Sequence, residues 1–330
     1  MFLTVNLAQN KSKISNYISD TLLEHIDITL AKGEKVMLYL NKRGSHSSLI
    51  CEDCQHLYSC PNCDVSLSVH SNPDHLRCHI CNNAFNIPKQ CSKCSKSNLK
   101  PVWVWTQQIE SIMKELYREN TVYRFDSDSM KNISSKREAL WNLDSADIII
   151  GTKMLTTGFN FEKVWLICVL LVESELSYPS YDAQEKAYTN LRQLIGRGNR
   201  KSQETTIILQ TFIPKNPLVL QLTHNNFKDF FQETLKERRE FDYPPYKQMI
   251  TLEYRHKDSK KSLAYTQKLL EDLQEIDEKN EYQFLRGSST FKKNNTHHAT
   301  LIVKWKNVRN LLKHIEKTII SQSALSIIFH

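Results

Sequence analysis

Long hydrophobic runs are missing from this sequence. No apolar stretch reaches the roughly 18 residues that a bilayer-spanning helix needs. The longest, Val164 to Val172 (VWLICVLLV), has nine residues and suits a buried strand. The N-terminus, MFLTVNLAQNKSK, has no basic stretch ahead of an apolar core, so no secretory signal is expected, and the expectation is a soluble cytoplasmic protein. Glycine is scarce, at seven in 330 residues. No G-x-x-x-x-G-K-S/T occurs, so the sequence offers no backbone cradle for the β- and γ-phosphates of a nucleotide. What remains is ordinary: 40% hydrophobic, 24% charged and nine prolines. That balance excludes collagen-like, low-complexity and wholly disordered chains, and the length allows two or three domains.

The net charge of +8 is unevenly spread. Residues 1–100 carry +3, residues 101–235 carry −1, and residues 236–330 carry +6. A basic excess concentrated in the last hundred residues suits a polyanionic partner.

Eight of the nine cysteines lie in four Cys-x-x-Cys pairs: Cys51/Cys54, Cys60/Cys63, Cys78/Cys81 and Cys91/Cys94. Each such turn aims two sulfurs at one point, and two turns make a tetrahedral four-sulfur site, so the eight predict two structural Zn2+. Disulfides would need a secreted context, and a redox pair would explain only one of the four. No histidine is needed as a ligand, and His56, His70, His75 and His79 read as surface residues. Two pairings fit the spacing. A nested one joins 60/63 to 78/81 inside 51/54 and 91/94. A sequential one joins neighbours. The short gap from Cys54 to Cys60 is tight for a ribbon and favours nesting. Cys168, inside the apolar run, reads as a buried core thiol.

Hydrophobic periodicity supplies the scaffold. Ile18, Leu22, Ile26 and Leu30 predict a helix over 18–32, capped by Ser19 or Asp20 and stopped at Gly33. VMLYL (Val36 to Leu40) is a compact strand, followed by the polar NKRG. Beyond the cysteines come a helix over 107–117, a strand over 121–128, a helix over 136–143 and a strand over 146–152. The apolar run, a helix over 182–195 and a strand over 205–211 complete this part. Short apolar strands alternating with helices predict a parallel sheet covered on both faces. Ligands of such sheets bind at the carboxyl ends of the strands, where NKRG, GTK and the acids Glu173 and Glu175 lie. After the stiff DYPPY junction, a strand over 249–255, a helix over 259–275, strands near 282–286 and over 299–305, a helix over 306–318 and a strand over 323–329 predict a small α+β domain.

The pieces MLYLNKRG, CPNC, LRCHIC, QCSKC, FDSDS, IIIGTKMLTTGFNF, QLIGRGNR and ERREFDYPPY stand in an order that resembles the C-terminal part of the primosomal protein N′ (PriA) family of replication-restart DNA helicases. The resemblance runs along nearly the whole chain. It implies an α/β fold: a RecA-like parallel-sheet helicase lobe over 1–50 and 96–235, a two-zinc cysteine-rich insertion over 51–95, and a small α+β C-terminal domain over 236–330. In the family, IGTKMLTTG is the loop that touches DNA phosphates and relays ATP state, which carries Gly151, Thr152 and Gly158 over as DNA-binding positions. QLIGRGNR resembles the motif whose residues reach the nucleotide, so Gln193, Arg197 and Arg200 carry over, with both arginines catalytic. A planar guanidinium suits that task because it can clamp a phosphoryl group. Asn199 stands where the family has glycine, the family has glycines near Trp103 and Trp105, and the family's proline-rich turn around Arg286 to Phe291 is lacking.

The resemblance implies an ATP-dependent 3′-to-5′ helicase of primosome assembly and replication restart. With no phosphate cradle and no DExH-type magnesium-binding sequence among these residues, ATP and Mg2+ would be bound only together with a first RecA-like lobe supplied elsewhere. The alternative is a non-catalytic zinc-ribbon module that binds DNA or a replication protein. Implied partners are forked or single-stranded DNA, single-stranded-DNA-binding protein and other primosome proteins, with no membrane. Lys260, Lys261, Lys292, Lys293, Lys304 and Lys306 are candidate phosphate contacts, with Lys292 and Lys293 foremost. Tyr246, Phe291 and Trp305 are candidate stacking faces.

Overall fold

The computed structural model describes all residues except 11, 13, 42–46, 64, 71–73, 80, 82, 103, 127–128, 130–135, 157–163, 177–179, 199–204, 225, 278–280, 289, 294, 307–315 and 317–322. The side chains of residues 47, 136, 137, 139, 140, 292 and 293 also lie outside the description. In chain order the elements begin with β1 (Phe2–Asn6), α1 (Asp20–Ala31), β2 (Lys35–Tyr39), β3 (Ser47–Cys51), β4 (Ser68–His70), β5 (His75–Arg77), β6 (Ala84–Phe85) and β7 (Leu99–Val102). They continue with α2 (Thr106–Leu116), β8 (Val122–Phe125), α3 (Lys136–Ser145), β9 (Ile148–Gly151), β10 (Val164–Val169), α4 (Glu173–Leu176), α5 (Ala183–Ile195) and β11 (Thr206–Thr211). The last group is α6 (Pro217–His224), α7 (Phe227–Glu240), β12 (Gln248–His256), α8 (Ser259–Ile276), β13 (Gln283–Arg286), β14 (Phe291–Lys293), β15 (Thr296–Trp305) and β16 (Leu325–Phe329).

Two compact units result. The first comprises residues 1–58, 88–178 and 182–230; the second comprises 59–87, 179–181 and 231–330. The cysteine-rich stretch is shared between them. Among the described residues no helix is long and apolar enough to cross a membrane.

The first unit is built on a six-stranded sheet in the order β1-β11-β10-β2-β9-β8, with every recorded pairing parallel. Alternate residues of each strand enter different cores, as the period of two requires. Val36, Leu38, Ile148, Ile150, Leu166 and Cys168 pack with Leu22 and Ile26 of α1 and Ile109 and Met113 of α2. Met37, Tyr39, Ile149, Ile167 and Val169 pack with Leu143 of α3 and Ala187, Leu191 and Leu194 of α5. Cys168 is fully buried, as expected of a core thiol. The Ser19 hydroxyl accepts the Leu22 N–H at 3.1 Å and caps α1. Gly33, at φ 69°, takes the left-handed stop. β1, α6 and α7 are additions to the periodicity reading.

The second unit carries a sheet in the order β13-β15-β12-β16, with β14 also on β15; its pairings are antiparallel. On one face, Ile250, Leu252, Leu301, Val303 and Trp305 pack on Leu269 and Leu273 of α8. The hairpin strands β4, β5 and β6 belong to the same unit. Their ribbon is tied to the domain at several points. The Arg77 guanidinium donates to the Thr290 carbonyl at 2.6 Å. The Ser288 N–H donates to Asn83 Oδ1 at 3.1 Å. The Tyr243 hydroxyl donates to the Cys63 carbonyl at 2.8 Å. The expected helix over 306–318 falls almost wholly outside the described residues.

Glu173 and Glu175 depart from expectation. Both are buried, at 1% exposure, and are engaged inside the first unit rather than presented to a ligand. Glu173 Oε1 accepts from the Thr211 hydroxyl (2.7 Å) and the N–H groups of Phe212 (2.6 Å) and Ile213 (3.1 Å). Burial pushes its carboxyl above the usual value, and those three bonds oppose the rise. A raised folded-state pKa means that the folded chain holds the proton more tightly, so the Glu173 contribution to stability improves as pH falls through that value. Glu173→Gln keeps the acceptor without the charge. It is expected to match or exceed the wild-type melting temperature at neutral pH and to flatten the pH dependence. Glu173→Leu strands the buried Phe212 N–H, while the Ile213 N–H keeps the Thr211 hydroxyl as acceptor at 3.0 Å, and is expected to cost about 1–3 kcal/mol in denaturant titration.

Candidate metal centres and motif cluster

The four Cys-x-x-Cys turns share one local structure. In each, the N–H of the first cysteine donates to the carbonyl five residues on: Cys51 to His56 (2.9 Å), Cys60 to Val65 (2.9 Å), Cys78 to Asn83 (2.9 Å) and Cys91 to Lys96 (2.7 Å). The turn is closed by backbone alone, which leaves both sulfurs of each pair on its inner side. Gln55 and Ser95, directly after Cys54 and Cys94, both adopt left-handed φ, 62° and 60°.

The sulfurs gather in two sets, Cys51/Cys54/Cys91/Cys94 and Cys60/Cys63/Cys78/Cys81, each within 4.8 Å of one another. This is the nested pairing. Sγ–Sγ separations are 3.6 Å for Cys51–Cys94 and for Cys54–Cys91, and 3.7 Å for Cys60–Cys81. A disulfide would need about 2.05 Å. A sulfur tetrahedron with Zn–S bonds near 2.3 Å has edges of about 3.8 Å, so both sets fit zinc. Four thiolates this close repel strongly, and a divalent cation at the centre removes that penalty. None of the four neighbouring histidines joins either set. They are half-buried and interact locally: His70 Nε2 lies 3.0 Å from His79 Nε2, and the His70 ring stacks on His75.

The outer set belongs to the first unit and the inner set to the second. The outer turns sit on the antiparallel pair β3–β7, which registers Cys51 with Leu99 and Ser48 with Val102. Ile50 and Val102 of that stem enter the lobe core.

At the carboxyl edge of the parallel sheet, two motif segments meet. Gly151 ends β9, where an added Cβ would lie 2.8 Å from the Phe125 carbonyl oxygen and 2.5 Å from Leu155 Cδ1. Only glycine fits there without a shift. Thr152 and Thr156 are buried in the turn that follows. The Arg197 guanidinium, just past α5, donates to the Thr156 carbonyl at 2.5 Å. Gln193 is exposed on the last turn of α5. Gly158 and Arg200 lie outside the described residues, as do Asn199 and Trp103; Trp105 is partly exposed at the start of α2. A network absent from the sequence reading braces this edge. Glu175 accepts from the Tyr39 hydroxyl (2.5 Å) and Asn190 Nδ2 (3.2 Å), with Lys153 Nζ at 3.9 Å. It joins β2, α5 and the turn after β9. Burial and the Glu175 charge together raise the Tyr39 hydroxyl well above its ordinary pKa, so Tyr39 stays a donor. The only sequence signal was a tyrosine ending a buried strand.

Two of the proposed nucleic-acid contacts are corrected. Lys304 is 1% exposed. Its ammonium donates to the Phe241 carbonyl at 2.6 Å and lies 3.9 Å from the Tyr243 ring centroid. Trp305 is fully buried in the α8 core. Lys304 lies on the sheet face covered by the ribbon and Trp305 on the helix face, so neither reaches a phosphate or a base. Lys260 and Lys261 open α8 on the surface, and Lys306 is exposed. Phe291 stacks on His298 and Tyr246 lies under Arg239. Lys292 and Lys293 are on β14, with side chains outside the description.

Fold and site together define a RecA-like lobe and a smaller antiparallel domain, each with one four-cysteine zinc-binding cluster. Residues 60–84 match the PriA DNA helicase Cys-rich region (CRR) domain. The chain is 30% identical over 271 residues to the replication restart protein PriA of Bacillus subtilis, covering 80% of this chain and 34% of the relative. It is 33% identical over 249 residues to that of Haemophilus influenzae, covering 74% and 34%. With the protein of Chlamydia trachomatis it shares 28% identity over 321 residues, covering 96% and 42%. The chain belongs to the PriA family and spans about a third of the length of the first two of these curated relatives.

Elemental analysis of the purified chain is expected to find about two zinc ions. Cys60→Ser and Cys81→Ser are each expected to lose the same ion, and Cys51→Ser the other. Structural zinc contributes roughly 10–16 kcal/mol in model peptides, so each loss should be complete rather than graded. Lys304→Met preserves the stem and drops the charge. It is expected to leave the salt dependence of DNA binding unchanged, whereas loss of a true phosphate contact on a single strand would lower the slope by about 0.7.

Proposed function

We propose that the chain forms the second RecA-like lobe and C-terminal domain of a PriA-type ATP-dependent 3′-to-5′ DNA helicase. It acts in primosome assembly and replication restart in the cytoplasm. The 1–50 and 96–235 segments serve as motor lobe, 51–95 as the zinc insertion and 236–330 as the terminal domain. ATP and Mg2+ are bound between this lobe and a first lobe that lies outside these 330 residues and carries the phosphate cradle. Forked or single-stranded DNA, single-stranded-DNA-binding protein and primosome proteins are its partners.

The observation that carries this reading is the bond from Arg197 to the Thr156 carbonyl. It joins the segment that would meet nucleotide, with Gln193 exposed beside it, to the segment that would meet DNA. Both lie at the sheet edge where ligands of parallel sheets bind. A movement of Arg197 toward a phosphoryl group would release the loop after Gly151, which is a physical route for relaying nucleotide state. Arg200 would supply a second guanidinium. The second reading, a non-catalytic DNA- or protein-binding module, is favoured by Trp105, partly exposed at the start of α2 in a stretch where the family carries glycines nearby.

The chain by itself is expected to show no ATP turnover, with or without single-stranded DNA. Mixed with a first lobe bearing G-x-x-x-x-G-K-S/T, it should support DNA-stimulated hydrolysis. Arg200→Ala should then lower the rate by about 10³–10⁵ if that residue stabilises the transferring phosphoryl group. Arg197→Lys should not rescue Arg197→Ala, because the planar fork is lost. Hydrolysis by the chain alone, or none in the mixture while DNA binding persists, would favour the binding module.

A further inference from the structure

The second unit contains a cavity of about 160 Å³ that the motor reading does not use. It lies on the face of the β12–β15 sheet opposite α8, beneath the zinc ribbon. Its walls include Phe291, Glu253, Thr300, Thr251, Tyr181 and His330. At this volume it is too small for a drug-sized ligand, whose sites run about 300–1,000 Å³, but it accommodates one planar heterocycle.

The polar groups are arranged as a reader of donors. Glu253 and Thr300 are directly opposite in the β12–β15 register, so their side chains share this face. Glu253 Oε1 accepts from His298 Nδ1 at 2.7 Å, and His298 Nε2 is in turn within 2.9 Å of the Thr296 hydroxyl. That relay holds Oε1 of a carboxylate that lines the cavity. The Thr300 hydroxyl is buried, on a residue only 6% exposed, and has no hydrogen-bond partner among the described residues. A buried hydroxyl without a partner costs free energy that a ligand would recover. Phe291 forms a wall held in place by stacking on His298, with centroids 5.0 Å apart. Thr251 is engaged with His330 Nε2 at 2.9 Å, which closes the far side.

We propose that this cavity receives a single unpaired nucleobase from single-stranded DNA and prefers guanine. The inference rests on the DNA-binding reading above and adds base selectivity to it. Guanine presents N1–H and N2–H2 side by side, and the Glu253 carboxylate can accept both because Oε1 keeps a lone pair beyond the one that His298 engages. Thymine presents one donor flanked by two acceptors, which would face the carboxylate. Thr300 supplies a hydroxyl to a remaining edge atom, and Phe291 covers part of the ring, as in recognition of splayed single-stranded bases.

The test uses the full chain and fluorescence anisotropy with three oligonucleotides: dT12, dT12 with one central dG, and dT12 with one central abasic site. The dG strand is expected to bind about tenfold more tightly than dT12, the scale of one good bidentate contact. Glu253→Gln exchanges an acceptor for a donor and should remove the dG increment while leaving dT12 affinity unchanged. Thr300→Val, nearly isosteric, should reduce the dG increment while leaving dT12 affinity and its salt slope unchanged. Equal binding of all three strands by the wild-type chain overturns the pocket while the DNA reading stands. Absence of binding to dT12 and the dG strand overturns both. Displacement of the dG increment by free lysine amide but not by guanosine would make the cavity an ammonium cage and overturn the proposal.

Discussion

Everything between β2 and α2 depends on eight thiolates being drawn together. The hairpins β4–β5 and β5–β6 are two or three residues long, far too short to be stable alone in water. Four backbone-closed turns provide the geometry, and cation charge at each centre compensates sulfur repulsion that the ribbon has no core to offset. The outer set fastens the stem whose Ile50 and Val102 enter the lobe core. The inner set organises a ribbon whose Asn83 and Cys63 backbone are tied to Ser288 and Tyr243. Each unit therefore contains its own sulfur tetrahedron as a structural member.

Elsewhere, buried charge does comparable work. Glu173 and Glu175 stand past the end of β10; Glu173 collects three donors from the end of β11 and the two residues after it, and Glu175 gathers donors from β2 and α5. Removing either carboxylate would leave those donors unsatisfied in a low-dielectric interior, a larger loss than the bonds themselves are worth. The edge that would hold nucleotide and DNA is thus braced from below by groups that take no part in ligand contact. In the proposed motor Arg197 would be the mobile element, while Tyr39, Asn190 and Lys153 share a separate anchor at Glu175.

Much of this was legible in the sequence because burial imposes periodicity. Val36 to Tyr39 and Ile148 to Gly151 are continuous apolar runs since both faces of a parallel sheet are covered. The cysteine spacing announced two sites, and the tight Cys54–Cys60 gap pointed to the nested pairing. β1 was missed because FLTVN is too short and mixed to stand out, and α7 because FKDFFQETLKERRE is mostly polar. Lys304 and Trp305 were misplaced for a different reason. Adjacent strand residues point to opposite faces, and in this domain both faces are covered, one by α8 and the other by the inner ribbon. No local pattern reveals that a face is covered by a segment more than two hundred residues earlier. The Glu253–His298 relay spans 45 positions and has no linear signature.

The nesting of the two sulfur sets also has a consequence for how they assemble. Cys54 and Cys91 are 37 residues apart, and closing such a loop has an entropic cost that grows with the logarithm of its length. Cys60 and Cys81, 21 apart, lie inside it. Once the inner ion has closed its own loop, the free chain left for the outer ion to close is roughly halved. Each halving is worth about 0.6 kcal/mol. Linkage is reciprocal, so the outer ion favours the inner by the same amount. Two ions in separate compact bodies are therefore cooperative through chain connectivity alone, with no contact between them required.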